Sequence, residues 1–283
     1  MSDVSIESRY VEVPGGHVFV RTWTPRVALC GLPIVLMHDS LGSVELWRDF
    51  PAMLAKRLAR SVVAYDRLGF GYSSERTELP ALSFIREEAE VFFPCIINQL
   101  DINAYTLFGH SVGGVMALLV ASLSPHQCHA VVSESAQAFV EERTRAGILA
   151  AKREFEDPAQ FAKLLKRHGR KAQWVLNAWV EIWLSPDFAN WRLEPDLESV
   201  RCPVLVIHGD QDEYGSVEFP RLISCRVGGA AELAIMAGCG HVPHRERPDD
   251  VLTRVARFLE HSVRNCVSLS HDTPFERNTE ERL

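Results

Sequence analysis

What this chain lacks narrows its identity first. Nowhere does it offer the ~20 consecutive apolar residues that a membrane-spanning helix needs. Its first residues, Met-Ser-Asp-Val-Ser-Ile-Glu, carry acids rather than an apolar run, so no Sec-type leader is expected and no membrane partner. Basic residues are outnumbered. Lys and Arg total 30 against 37 Asp and Glu, a net charge of −7 that leaves little to attract a nucleic-acid backbone. Paired cysteine spacing is missing too. Cys30, Cys95, Cys128, Cys202, Cys225, Cys239 and Cys266 are odd in number and scattered, which argues against a disulfide framework and for a reducing, cytoplasmic setting. No internal repeat is visible, and neither a metal nor a cofactor is expected.

What is there suits one large domain with an insertion, or two small ones: 283 residues, 47% of them hydrophobic, enough to bury a core without disulfides. Up to about residue 125, short apolar runs alternate with amphipathic stretches. Arg9–Val13 and His17–Trp23, separated by Pro14-Gly15-Gly16, read as a hairpin. Pro33–His38, Ser61–Tyr65, Tyr105–Phe108 and Ala130–Ser133 read as strands, the first two as strands buried on both faces. Helical period runs through Val44–Leu58, Leu82–Leu100 and Val112–Leu123. This repetition implies a mostly parallel sheet with helices on both faces.

The pattern changes after Ala138. Val140–Phe155, Pro158–His168 and Lys171–Leu184 are helical in period, with no strand between them, and four of the six tryptophans (Trp174, Trp179, Trp183, Trp191) fall here. The basic residues Lys163, Lys166, Arg167, Arg170 and Lys171 are interleaved with apolar ones and read as a solvated helix face. Strands resume at Pro203–Ile207 and Glu232–Ile235, and a helix near Asp250–His261 closes the pattern. The expected division is therefore a core of residues 1–136 and 196–262, a helical insertion at 137–195 and a poorly ordered polar tail at 263–283.

Phe108-Gly109-His110-Ser111-Val112-Gly113-Gly114 places Gly-x-Ser-x-Gly between an apolar strand and an apolar helix. That is the setting in which a serine sits on a strained turn with its hydroxyl held clear of the sheet. Side chains two residues before and after would collide, so glycines stand there. The helix start then offers backbone N–H groups, Val112 N–H among them, to an oxyanion. A serine hydroxyl needs a base. Of the eleven histidines His241 is best placed, in a loop between the last strand and the final helix; nearby His244 reads as an exposed loop residue, and His-x-x-His lacks the companions of a metal site.

These stretches resemble the α/β-hydrolase family, capped serine-esterase type. Gly240-His241 followed by Glu246 and Pro248 is similar to the family's histidine loop, and Gly209-Asp210-Gln211-Asp212 to its Gly-x-x-Asp turn. The resemblance implies Asp212 as the carboxylate behind His241, with Asp210 a turn-former. Glu134, at the end of the sixth strand, is the second candidate. The order Ser111, Asp212, His241 agrees with this fold. His38-Asp39-Ser40 stands where the family has His-Gly-x, which puts the second oxyanion donor at Ser40 and a carboxylate, Asp39, near the pocket. Asp66-Arg67-Leu68-Gly69-Phe70-Gly71-Tyr72-Ser73 resembles a further signature, expected to be a structural turn beside the serine.

The resemblance implies an eight-stranded sheet with a helical cap inserted after its sixth strand. Within the insertion Leu176, Trp179, Val180 and Trp183 follow helical spacing as one apolar stripe. Trp179 and Trp183 either line an acyl pocket or pack the cap on the core. The implied activity is cleavage of a small-molecule carboxylic ester through an acyl-enzyme, by a monomer or homodimer. Carbon–carbon hydrolysis or acyl transfer on the same triad, and a ligand receptor of hydrolase fold, are the alternatives.

Overall fold

The computed structural model describes residues 3–28 and 31–269. Eight strands form: β1 (Val4–Val13), β2 (Gly16–Pro25), β3 (Ile34–Met37), β4 (Val62–Tyr65), β5 (Tyr105–His110), β6 (Cys128–Glu134), β7 (Val204–Gly209) and β8 (Ala231–Met236). They join in one sheet of order β1-β2-β4-β3-β5-β6-β7-β8. β1 and β2 form the expected hairpin and give the sheet its antiparallel edge; from β4 to β8 every pairing is parallel. The central strands are buried along their whole length because helices cover both faces, which is why they read as continuous apolar runs. Two apolar clusters result, one on each face. One holds Val35, Leu107, Val115 and Leu118, the other Leu36, Phe108, Leu205 and Val255.

Two stretches expected as single helices are interrupted, each beside a proline. Val44–Trp47 is a 3₁₀ turn, Arg48 adopts φ 52°, and the α-helix starts afresh at Phe50 with Pro51 in its first turn. There the missing N–H costs nothing. Between Phe84–Glu87 and Phe93–Gln99 lies a π-helical turn, Glu88–Phe92, that ends two residues before Pro94. A proline cannot donate to the preceding turn, and a widened turn accommodates the gap.

The three insertion helices form close to their expected bounds, at Glu142–Glu154, Pro158–His168 and Ala172–Leu184. Asp157 caps the second by accepting from Ala159 N at 2.9 Å. At the neck Phe139 pairs with Arg192 as an isolated bridge, and Leu193 N donates to Ala138 O at 2.9 Å. The closing helix runs from Pro248 to Leu269, beyond its expected end. The rest of the tail lies outside the described residues. Among these no helix is long and apolar enough to cross a membrane.

Candidate active site

Ser111 follows β5 directly and opens the helix Val112–Leu123 with φ 55° and ψ −126°, a conformation that side-chain-bearing residues avoid. The flanking glycines are required by contact. A Cβ on Gly109 would lie 2.1 Å from Gly113 O, and one on Gly113 2.1 Å from Met37 O. Ser111 N donates to Glu134 O at 2.8 Å, tying the turn to the end of β6.

His241 sits in the loop after β8, which Glu246 holds by accepting from Gly240 N at 2.8 Å and Val242 N at 3.1 Å. Its Nδ1 donates to Asp212 Oδ2 at 2.8 Å. That bond fixes the ring hydrogen on Nδ1 and leaves Nε2 as the basic nitrogen. Asp212 is 1% exposed at the turn after β7, and its Oδ1 accepts from Tyr214 N at 2.7 Å and Gly215 N at 3.2 Å. Burial pushes the Asp212 carboxyl up. The charge and hydrogen bond of His241, with His208 and Tyr214 N–H, outweigh it and leave the carboxyl below its ordinary value.

Ser111 and His241 face one cavity of about 480 Å³. Ser40, Trp179 and Trp183 line it as well. Val112, at the helix start beside Ser111, is fully buried, and its N–H belongs to the first turn, where no intrahelical acceptor exists. The expected stripe divides: Trp179 and Trp183 face this cavity, while Leu176 and Val180 line a separate groove with Phe155 and Phe161. Trp183 is also packed edge-on against Phe188 and Trp191, and Trp179 against Tyr214.

Asp39 turns inward. Its Oδ1 accepts from Leu41 N at 2.8 Å, and its Oδ2 lies 3.3 Å from His110 Nδ1. The other His110 nitrogen donates to the His241 carbonyl at 2.8 Å. Burial lowers the His110 pKa, but the bond and charge of Asp39, with the charge of Glu134, raise it to about 9. The two ring nitrogens thus tie Asp39 to the His241 carbonyl and brace the histidine loop.

Three expectations need correction. His244 is buried, not exposed. It donates from Nδ1 to Glu134 Oε2 and packs against Trp47 at 4.7 Å between ring centroids. Glu134 therefore faces His244 and not His241. The basic stretch in the insertion is solvated only in part: Lys163, Lys166 and Arg170 are exposed as expected, while Arg167 and Lys171 are half-buried. Lys163 and Arg167 line the cavity, Lys171 Nζ donates to Phe70 O at 3.1 Å, and Arg170 pairs with Glu75. His110, Glu134 and His244 bring potential metal donors within 4.8 Å of one another. Hydrogen bonds already occupy both nitrogens of His110 and Nδ1 of His244, so this set fits a polar brace better than a cation site.

Sequence reasoning missed Gln137, whose Nε2 donates to Ser111 Oγ at 3.2 Å, and His168. His168, at the end of an insertion helix, accepts from Gly71 N at 2.9 Å and donates to Leu41 O at 3.0 Å. Burial lowers its pKa to about 4, so the neutral ring that makes both bonds persists near neutral pH. The glycine-rich turn thereby anchors the insertion. Gly71 itself is required, since a Cβ there would lie 2.0 Å from Asp66 Oδ2.

Comparison with known proteins agrees with this fold. The description "Alpha/beta hydrolase family" matches residues 34–254. The chain belongs to this family. Among curated relatives of this α/β hydrolase, the dihydrolipoyllysine-residue acetyltransferase component of an acetoin-cleaving system from Pseudomonas putida is 26% identical over 248 residues. The match takes in 81% of this chain but only 64% of that protein's length. The esterase YbfF of Escherichia coli is 24% identical, with 80% of this chain and 92% of the esterase covered. A solved 2-hydroxy-6-oxo-6-phenylhexa-2,4-dienoate hydrolase from Rhodococcus sp. superposes with TM-score 0.74 at 19% identity, covering 91% of this chain and 99% of its own. At that identity the likeness establishes the fold.

Proposed function

We propose that this α/β hydrolase is a serine esterase acting on a small-molecule carboxylic ester through Ser111, His241 and Asp212. The observation that carries the proposal is the Asp212–His241 bond, in a wall of the same cavity onto which the strained Ser111 turn opens. Gln137 uses one lone pair of Ser111 Oγ, so the hydroxyl hydrogen remains available to His241 Nε2.

Once substrate is bound, Oγ attacks the ester carbonyl carbon and its proton passes to His241 Nε2. Asp212 stabilises the imidazolium formed. The N–H groups of Val112 and Ser40 receive the oxyanion. Collapse expels the alcohol, which takes the proton back from His241. Water then repeats the sequence on the acyl-enzyme and frees the acid. Residues 137–195 serve in this reading as a cap, and Trp179 and Trp183 as the pocket wall that meets the substrate's apolar part.

The test is pre-steady-state hydrolysis of short para-nitrophenyl esters. A burst of nitrophenol equal to the protein present, absent in Ser111→Ala, supports the proposal. Esterase activity that survives in Ser111→Ala contradicts it.

A further inference from the structure

Three arginines from separate parts of the chain converge on the cavity that holds Ser111. Arg48 follows the 3₁₀ turn after β3, Arg167 lies near the end of the helix Pro158–His168, and Arg245 stands four residues beyond His241. Lys163, one turn before Arg167, joins them. Among the described residues none of the three arginines has a salt-bridge partner, although Arg21, Arg76, Arg86, Arg192 and Arg247 all do. Burial, and after it the charge of Arg48, lowers the pKa of both Arg167 and Arg245. Like charges have thus been gathered around one cavity, Arg48 and Arg245 exposed and Arg167 half-buried, and an anion arriving there would relieve their mutual repulsion.

Of the carboxylates on the same wall, Asp39 reaches Arg167 and Arg245 with its charge but forms an ion pair with neither. Asp39 is held by His110 and Leu41 N. Glu213 lines the cavity too, so that two acids stand against four cations. Leu46, Ile148, Phe155, Leu164, Trp179 and Trp183 give the cavity an apolar wall. Such a cavity suits an apolar body that carries a negative charge.

We propose that Arg48, Arg167 and Arg245 form an anion subsite, and that the substrate is an ester carrying a carboxylate or phosphate group remote from the bond that is cleaved. This rests on the esterase reading of Ser111. Guanidinium binds either oxyanion in bidentate fashion, so the chemistry of recognition is shared.

Matched substrates test it: mono-para-nitrophenyl glutarate, its neutral methyl ester, and para-nitrophenyl phosphonopropionate. At low salt the carboxylate ester should exceed the neutral ester in kcat/KM by about tenfold or more, through KM and on-rate. The preference should shrink as salt is added. It should fall towards one in the triple variant Arg48→Gln/Arg167→Gln/Arg245→Gln. Comparing the carboxylate and phosphonate esters decides which anion the subsite prefers. A wild-type ratio near one, or a preference that survives the triple variant, overturns the proposal while leaving the esterase reading intact. If none of the esters turns over, the esterase reading fails separately. The subsite is then read from quenching of tryptophan fluorescence by glutarate monomethyl ester: saturation in the wild type but not in the triple variant supports it, and equal response in both overturns it.

Discussion

Asp212 Oδ2 accepts the Nδ1 hydrogen of His241 at 2.8 Å, while the rival carboxylate, Glu134, accepts from His244 on another side of the loop. The two acids thus have different histidines and different roles. One orients a ring that faces the cavity; the other satisfies a ring packed among Trp47, Phe50 and Phe108.

Removing the charge of each acid separates these roles. Asp212→Asn should keep the fold and lower kcat by ~10³–10⁴, because the wrong tautomer of His241 is then favoured. Glu134→Gln should act mainly on stability, by about 1–3 kcal/mol, since it weakens a buried charge-assisted bond. Urea unfolding and ester hydrolysis on both variants check this, and the reverse ranking in kcat would move the acid to β6.

Alkaline pH tests the brace beneath the histidine loop. His110 holds its proton to about pH 9 in the folded chain, against ~6.5 when unfolded. Folding therefore tightens proton binding. The resulting stabilisation, on the order of 1–3 kcal/mol, is complete below about pH 6.5 and is lost as pH rises through about 9. Urea unfolding of wild type should show this decline, and Asp39→Asn should flatten it. Parallel pH profiles for the two proteins would contradict the assignment.

The two cavity tryptophans should behave differently. Trp183 is 2% exposed and wedged against Phe188 and Trp191, so Trp183→Ala should cost ~3–5 kcal/mol of stability. Trp179, at 9%, has Tyr214 as its aromatic partner. Trp179→Ala should cost less in stability and shift the kcat/KM ratio for long against short acyl esters. Melting temperatures and an acyl-length series on both variants decide the matter. An unchanged ratio in both would remove the tryptophans from the substrate pocket.

Sequence reasoning reached those parts of the molecule governed by local rules. The strands buried on both faces announced themselves as apolar runs. The glycines around Ser111 could be read because a strained turn excludes Cβ atoms wherever it occurs. The interruption at Arg48 and the π turn at Glu88–Phe92 are marked by Pro51 and Pro94, residues that periodicity alone passes over. The burial of His244 was hidden because its partner, Glu134, lies 110 positions away. Gln137 and the converging arginines were hidden for the same reason. A cavity wall assembled from several loops has no period, and a cation on a helix looks solvated until its surroundings are known.

Covalent labelling of Ser111 is the decisive measurement for the proposed chemistry. The folded chain is treated with a fluorophosphonate and the adduct is located by mass spectrometry of its peptides. One adduct per chain is expected, on Ser111, with labelling abolished in Ser111→Ala and strongly slowed in His241→Ala. Stoichiometric labelling at another serine, or undiminished labelling of Ser111→Ala, would contradict a nucleophilic Ser111.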